Sequence, residues 1–378
     1  MAHAPPLKGM TWDHPRGYSP LLEASREWLA REGIAIEWDR RSLQDFEAYP
    51  VRMLAQEYDL VVLDHPHVGA IAEEGCLVPL DAAGAGQQLA AIAAGSVGRS
   101  FASYEWRGHQ WALPVDAATQ VQAWRPDRLA KAPAAWEELA AVARDGGLIC
   151  PLRPPHALMS LFTLCGLAGA EPAVEGPDLF APGPAVRAYE RLRDLAGMVD
   201  PGCFAMDPIA VLDRLAQADG RAALAPLVYG YVSYSIAGFR EHPLRFGDLP
   251  VLDAERGPAG SALGGTGIAV SALRSNADKA AAFAFFVAGA AFQRDGYSAA
   301  GGQAGHAAAW DDEAVNQSTD KFYRNTRLTL EGAWVRPRHP GYMRFQEQAS
   351  ERLDHALRHA EAGETLIADL NTLFRSTL

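Results

Sequence analysis

Lysine is almost missing from this chain of 378 residues: four lysines (Lys8, Lys131, Lys279, Lys321) stand against 30 arginines. A GC-rich coding sequence produces that bias, and it carries no functional weight. The formal net charge of −12 argues against non-specific attraction to nucleic acid or anionic membrane. Long hydrophobic runs are also missing. The longest, residues 280–292, has 13 residues, short of the about 20 a membrane span needs. It follows Ser275-Asn276-Ala277-Asp278 and reads as a buried helix with an N-cap and an acidic first turn. Residues 1–9 carry one lysine and no apolar core. No secretory leader is expected, and the chain reads as cytosolic unless a leader has been removed. Only four cysteines occur, none in a C-x-x-C pair. Their spacings suit neither zinc nor a disulfide framework, so buried free thiols are expected, with Cys150 singled out by its place at a strand end. Motifs of hydrolases, zinc proteases, Walker-type ATPases and dinucleotide enzymes (G-x-S-x-G, H-E-x-x-H, the P-loop, G-x-G-x-x-G) are absent.

What is present is an ordinary globular composition, 49% hydrophobic and 21% charged, long enough for about two domains. The opening alternates strand and helix. Residues 7–12 form a short apolar strand, and Ser19-Pro20 is an N-cap followed by a proline at N1. Leu21, Leu22, Ser25, Trp28 and Leu29 recur at helical spacing up to a Gly33 stop. A strand over 34–38, a helix over 43–56 and a β-branched strand over 58–63 follow. Further on we expect a hairpin over 106–114 with Arg107-Gly108 at its turn, and helices over 133–144, 155–169, 183–197, 277–292 and from 342 onward. Strands are expected at 147–150 and 268–270, and a surface loop at 178–184. This alternation reads as an α/β fold with a mostly parallel sheet.

Several segments then point to a family. Tyr58-Asp59-Leu60-Val61-Val62-Leu63-Asp64, followed by Gly75-Cys76-Leu77-Val78-Pro79-Leu80-Asp81, resembles the family-1 extracellular solute-binding proteins of ATP-binding-cassette (ABC) importers. Their pattern is a "YDvv..d" strand, a helix and then "GxLxPLD". The stretch from Ser103 to Asp116 resembles their "tydGklyglPvd" hairpin and crossover, and Ala132 to Leu139 their "pPkTWdEL" helix start. Gly264 to Ser271 is similar to "lgGtglaIs", Asn276 to Val287 to "kn.eaAweFikfl", and Gly301-Gly302-Gln303 stands where "gG.p" ends that helix. The resemblance implies a type II periplasmic-binding-protein fold, two α/β lobes around a ligand cleft joined by crossing strands. The lobes would be residues 1–115 with 262–308 and residues 116–261 with 309–378. It also implies a small-molecule ligand bound by lobe closure, a membrane permease as partner, a periplasmic location, no cofactor, no catalytic metal and no nucleic acid. A monomer is expected.

In open α/β sheets, ligands sit beyond the carboxyl ends of the strands. That rule selects Trp12, His14 and Arg16 after the first strand, Arg16 as a bidentate fork for a carboxylate or vicinal hydroxyls. It selects Asp64, His65 and His67 after the third, where Asp–His–x–His with His14 also leaves a metal site open. Asp116 and Gln120 lie on the crossover, and Arg153 and His156 follow residues 148–150. Tyr229 and Tyr231 offer stacking faces, Gly265 and Thr266 mark a hinge with close backbone approach, and Trp310 follows a glycine-rich loop. Asn316-Gln317-Ser318 matches a glycosylation acceptor, a pattern too common to weigh. The family favours carbohydrate, whereas Arg16, Arg153 and the histidines favour an anionic organic acid. A cytosolic sensor or enzyme on the same lobes, with Cys150 or a histidine as reacting group, stays open, as does a metal-binding role for Asp64, His65 and His67.

Overall fold

A computed structural model describes residues 5–43, 50–81 and 85–378. The chain folds into two units. One comprises Met1–Ala117, Gly264–Ser318 and Arg338–Pro340; the other comprises Ala118–Leu263, Thr319–Pro337 and Gly341–Leu378. Relative to the boundaries expected from sequence, residues 116–117, 309–318 and 338–340 go with the first unit and residues 262–263 with the second.

The first unit is built on three parallel strands, Ile36–Arg41, Leu7–Trp12 and Leu60–Leu63, in that spatial order. Leu263–Val270 adds to the last of them antiparallel, with Leu63 opposite Gly267. Leu60, Val61, Val62 and Leu63 are all buried, as a strand covered on both faces requires. The helix Pro15–Glu32 packs beside the sheet through Trp28, which meets Phe283 edge-on at 5.7 Å and Phe286 at 5.2 Å on the helix Ala277–Ala288. Trp38 lies against Gly9, where a Cβ would come within 2.5 Å of its ring. Burying each such aromatic stabilises the fold by about 1.5–3 kcal/mol.

In the second unit the later part of the strand Leu113–Trp124, from Gln120 on, pairs antiparallel with Leu224–Tyr229 and with Arg245–Gly247. Every residue of the helix His156–Leu167 is buried, which marks it as a core helix surrounded on all sides. Gly166 allows this because a Cβ there would stand 2.1 Å from the Gly260 carbonyl oxygen. Pro182–Met198 and Tyr342–His359 pack against it, and Gly363–Arg375 packs on those two helices.

Several local expectations are corrected. The first helix starts at Pro15, not after Ser19: the His14 side chain accepts the Arg16 amide, and Pro15 takes the first helical position. His14-Pro15 thus offers the same cap-plus-proline signal one turn earlier, and Pro20 falls inside the helix. Residues 147–150 make a single bridge, Leu148 to Leu224, instead of a strand. Of residues 178–184, expected as a surface loop, 178–181 are irregular, the helix Pro182–Met198 takes the rest, and the loop is anchored at its centre. Leu179 and Phe180 are buried, and Asn371 clamps the Phe180 amide and carbonyl at 2.9 and 3.0 Å. The helix expected at 133–144 begins only at Trp136 and is α-helical from Leu139, because Ala135 bridges Val251. The helix expected at 277–292 breaks at Gly289. Of the helix expected at 43–56, residues 44–49 lie outside the described residues, and Val51–Glu57 is helical. Asn316 is fully buried, and its amide donates to the Trp310 and Asp312 carbonyls at 2.8 and 2.9 Å, which removes it as a glycosylation acceptor. No helix among the described residues is long and apolar enough to cross a membrane.

Candidate functional site

In the first unit, the carboxyl ends of the parallel strands gather most of the residues selected from sequence. The strand Leu7–Trp12 ends on Trp12, whose ring covers Gly17; a Cβ there would lie 2.4 Å from the ring. His14 caps the following helix through Nδ1, 3.1 Å from the Arg16 amide. That cap aims Arg16 back toward the sheet. Its Nε donates to Asp116 Oδ2 at 2.7 Å and its Nη2 donates to Asp116 Oδ1, a bidentate ion pair. Arg16 is 4% exposed and Asp116 is 1% exposed. Burial pushes the Asp116 carboxyl above the usual range, Arg16 opposes this, and the Asp64 carboxylate adds to it. Asp64 therefore shares the field of the pair.

The neighbouring positions are fixed by backbone pairing. Leu63 opposite Gly267 brings Gly265 and Thr266 to the end of Leu60–Leu63 where Asp64 and His65 begin. Tyr104, which the sequence reading did not select, ties the two together. Its hydroxyl donates to the Leu63 carbonyl at 3.2 Å and lies 3.4 Å from the Gly265 carbonyl oxygen, and its ring meets His65 edge-on at 6.2 Å. Gly267 is required there, since a Cβ would stand 2.8 Å from the Tyr104 ring. Thr266 is buried and, among the described residues, its hydroxyl has no hydrogen-bond partner. Asp116 bridges Ala304, and the Trp310 indole donates to the Ala304 carbonyl at 2.7 Å, so Trp310 braces the segment beside the ion pair. Gln303, also not selected, holds Ala117 from the other side: its amide donates to the Ala117 carbonyl at 2.8 Å. The signal for both was positional, because each lies within a segment already matched to the family.

The second unit gathers the remaining candidates. Gln120 stands opposite Tyr229 in the antiparallel pair, which puts both side chains on one face. Gln120 Nε2 donates to Ser160 Oγ at 3.0 Å, and Ser160 lies one helical turn after His156 on the same helix face. His156 follows Arg153 through a turn closed by its amide to the Arg153 carbonyl at 2.8 Å. Burial lowers His156 to about 4, with Asp207 opposing and Arg153 and Arg336 reinforcing the shift. The imidazole is therefore neutral near pH 7. Arg153 is 3.8 Å from Asp207 and partly exposed. Tyr231 is buried and meets Tyr234 edge-on at 6.3 Å.

The alternative chemistries find little support. Cys150 is fully buried and its thiol is pushed well above its ordinary value, so it is held protonated. Among the described residues no three His, Cys, Asp or Glu side chains are placed to hold a metal. His14 and His65 are instead committed to a helix cap and to the Tyr104 ring, and His67 ends the short 3-10 turn His65–His67.

Residues 33–319 match the family described as bacterial extracellular solute-binding protein. The chain belongs to that family. No curated protein sequence matches this solute-binding protein. Its fold is that of solved binding proteins that are distant in sequence. The maltose-bound MalE3 of T. maritima is 17% identical with a TM-score of 0.83, covering 99% of this chain and 100% of that one. An ABC transporter solute-binding protein of Thermotoga lettingae TMO bound with alpha-D-tagatose is 17% identical with a TM-score of 0.82, covering 99% and 100%. One from Agrobacterium radiobacter K84 in complex with ribitol is 18% identical with a TM-score of 0.79, covering 98% of each chain.

Proposed function

We propose that this solute-binding protein serves an ABC importer outside the cytoplasmic membrane and takes a neutral polyhydroxylated ligand, a carbohydrate or polyol. One observation carries the ligand class. Arg16, the buried arginine at the carboxyl ends of the parallel strands, is already gripped by both oxygens of Asp116. A guanidinium compensated in this way offers an anionic ligand little free charge, and Asp64 adds a negative field. Sugar hydroxyls both donate and accept, so they suit an array of carboxylates, amides and backbone groups. The neutral His156 of the second unit fits the same class. The maltose, tagatose and ribitol seen in similar structures support this reading over the organic acid that the count of Arg and His residues favoured. The partner in transport is a membrane permease, and the protein acts as a monomer without a cofactor or nucleic acid.

Thermal-shift screening followed by calorimetric titration tests this reading. Neutral mono- and disaccharides and polyols are expected to raise the melting temperature, while organic acids and sugar phosphates leave it unchanged. Stabilisation by anions alone would overturn the neutral class.

A further inference from the structure

We infer that Cys150 and Cys203 form a disulfide that fastens the segment bearing Arg153 and His156 to the turn Pro201–Ala205. In sequence the two are far apart and share no motif, but the fold brings their backbones side by side. The Leu152 amide donates to the Cys203 carbonyl at 3.1 Å, and the Arg153 amide donates to the Met206 carbonyl at 3.2 Å. Cys150 stands two residues before the amide that meets the Cys203 carbonyl, and its thiol lies 3.9 Å from the Leu227 carbonyl oxygen. Both residues are buried, at 0% and 1% exposure, and both are reduced in this structure. The other two cysteines have no such neighbour acting on them. Burial alone raises Cys165, to about 12, and Cys76, in the other unit, answers to burial and Glu74.

The inference rests on the extracellular part of the proposed function, because disulfides form and persist outside the cytoplasm. Burial sets the timing: the bond must close during folding, before both sulfurs are covered, and is then shielded from reductants. The chemistry is thiol–disulfide exchange with an external disulfide, such as a dithiol oxidase or oxidised glutathione. One cysteine thiolate attacks a sulfur of the oxidant and gives a mixed disulfide, and the second thiolate displaces it. One S–S bond forms in the protein, one is lost from the oxidant, and two hydrogens pass to the oxidant's two sulfurs. The bond closes a loop of about 50 residues, long enough to raise the melting temperature by roughly 5 °C or more.

The test is to unfold the full chain under reducing conditions, refold it in a glutathione redox buffer, alkylate in denaturant and map the peptides. The expected result is a cross-linked Cys150–Cys203 peptide, two alkylated cysteines instead of four, and a melting temperature that falls on reduction. Cys150→Ser and Cys203→Ser should each erase that sensitivity to reductant, and Cys165→Ser should keep it. Four alkylated cysteines in refolded wild-type protein, or a cross-link between another pair, would overturn the inference even if the serine variants fail to fold. Thiol counting needs no ligand. A maltose and ribitol titration of the same oxidised sample therefore judges the proposed function separately.

Discussion

The two units meet the same problem, a cation beside prolines at the start of a helix, with opposite physics. In the first unit, His14-Pro15-Arg16 places the arginine inside the helix's first turn, buried, and neutralises it with an equally buried Asp116. In the second, Arg153-Pro154-Pro155-His156 leaves the arginine 37% exposed and 3.8 Å from Asp207, while the histidine is buried and loses its charge. One side is locked by a compensated ion pair, the other is neutral because its titratable group cannot afford ionisation. The difference teaches that similar local strings make charge-locked or pH-sensitive sites according to whether a carboxylate is delivered from elsewhere in the chain.

Breaking the lock gives the largest expected effect. Asp116→Ala leaves the Arg16 guanidinium buried and uncompensated, and should cost about 3–5 kcal/mol in a urea denaturation series. Removing both charges together, as Arg16→Met with Asp116→Leu, should recover most of that loss, since a buried pair contributes little net stability over apolar packing. Arg153→Ala should change stability by about 0–1 kcal/mol, because its pair is solvent-screened. Asp207→Ala should cost about 1 kcal/mol, mainly through the lost N-cap that accepts the Ala210 amide at 2.9 Å. Equal losses for Asp116→Ala and Arg153→Ala would erase the contrast between the units.

The second effect is pH dependence. His156 titrates near 4 when folded and near 6.5 when unfolded, so between those values the unfolded chain binds more protons. Its contribution is complete above pH 6.5 and is lost as pH falls toward 4, at up to about 1.4 kcal/mol per pH unit. Denaturation midpoints at pH 7 and pH 4.5 should therefore separate wild type from His156→Gln by about 2 kcal/mol more at the lower pH, wild type losing more. Parallel pH profiles would show that His156 is not kept neutral by the fold.

Much of this was legible in the sequence, for physical reasons. Strand-end logic selected Trp12, Arg16 and Asp64, and they do lie at the carboxyl ends of Leu7–Trp12 and Leu60–Leu63, because the carboxyl edge of a parallel sheet follows from the βα alternation alone. It did not foresee the pairing of Asp116: a carboxylate 100 residues from Arg16 reads as a free ligand group until the fold brings the two together. Tyr104 and Gln303 escaped notice because their hydrogen bonds go to backbone carbonyls, which leave no mark in residue type. The prolines around Phe180 signal a loop, but nothing local signals its burial, which depends on Asn371 far along the chain.

The smallest effect on stability is the sharpest test of the locked site. Thr266 is 6% exposed, and among the described residues its hydroxyl has no hydrogen-bond partner. A buried hydroxyl left in that state lowers stability, whereas valine keeps the shape and removes the unsatisfied group. If the hydroxyl served the fold, Thr266→Val would destabilise the protein. We expect instead a melting temperature unchanged or slightly higher, with sugar affinity weakened roughly tenfold, the worth of about one hydrogen bond. Stability and affinity would then move in opposite directions, as they must if the strand ends of the first unit keep a polar group unsatisfied for the ligand. A stable variant that binds as tightly as wild type would assign Thr266 to packing.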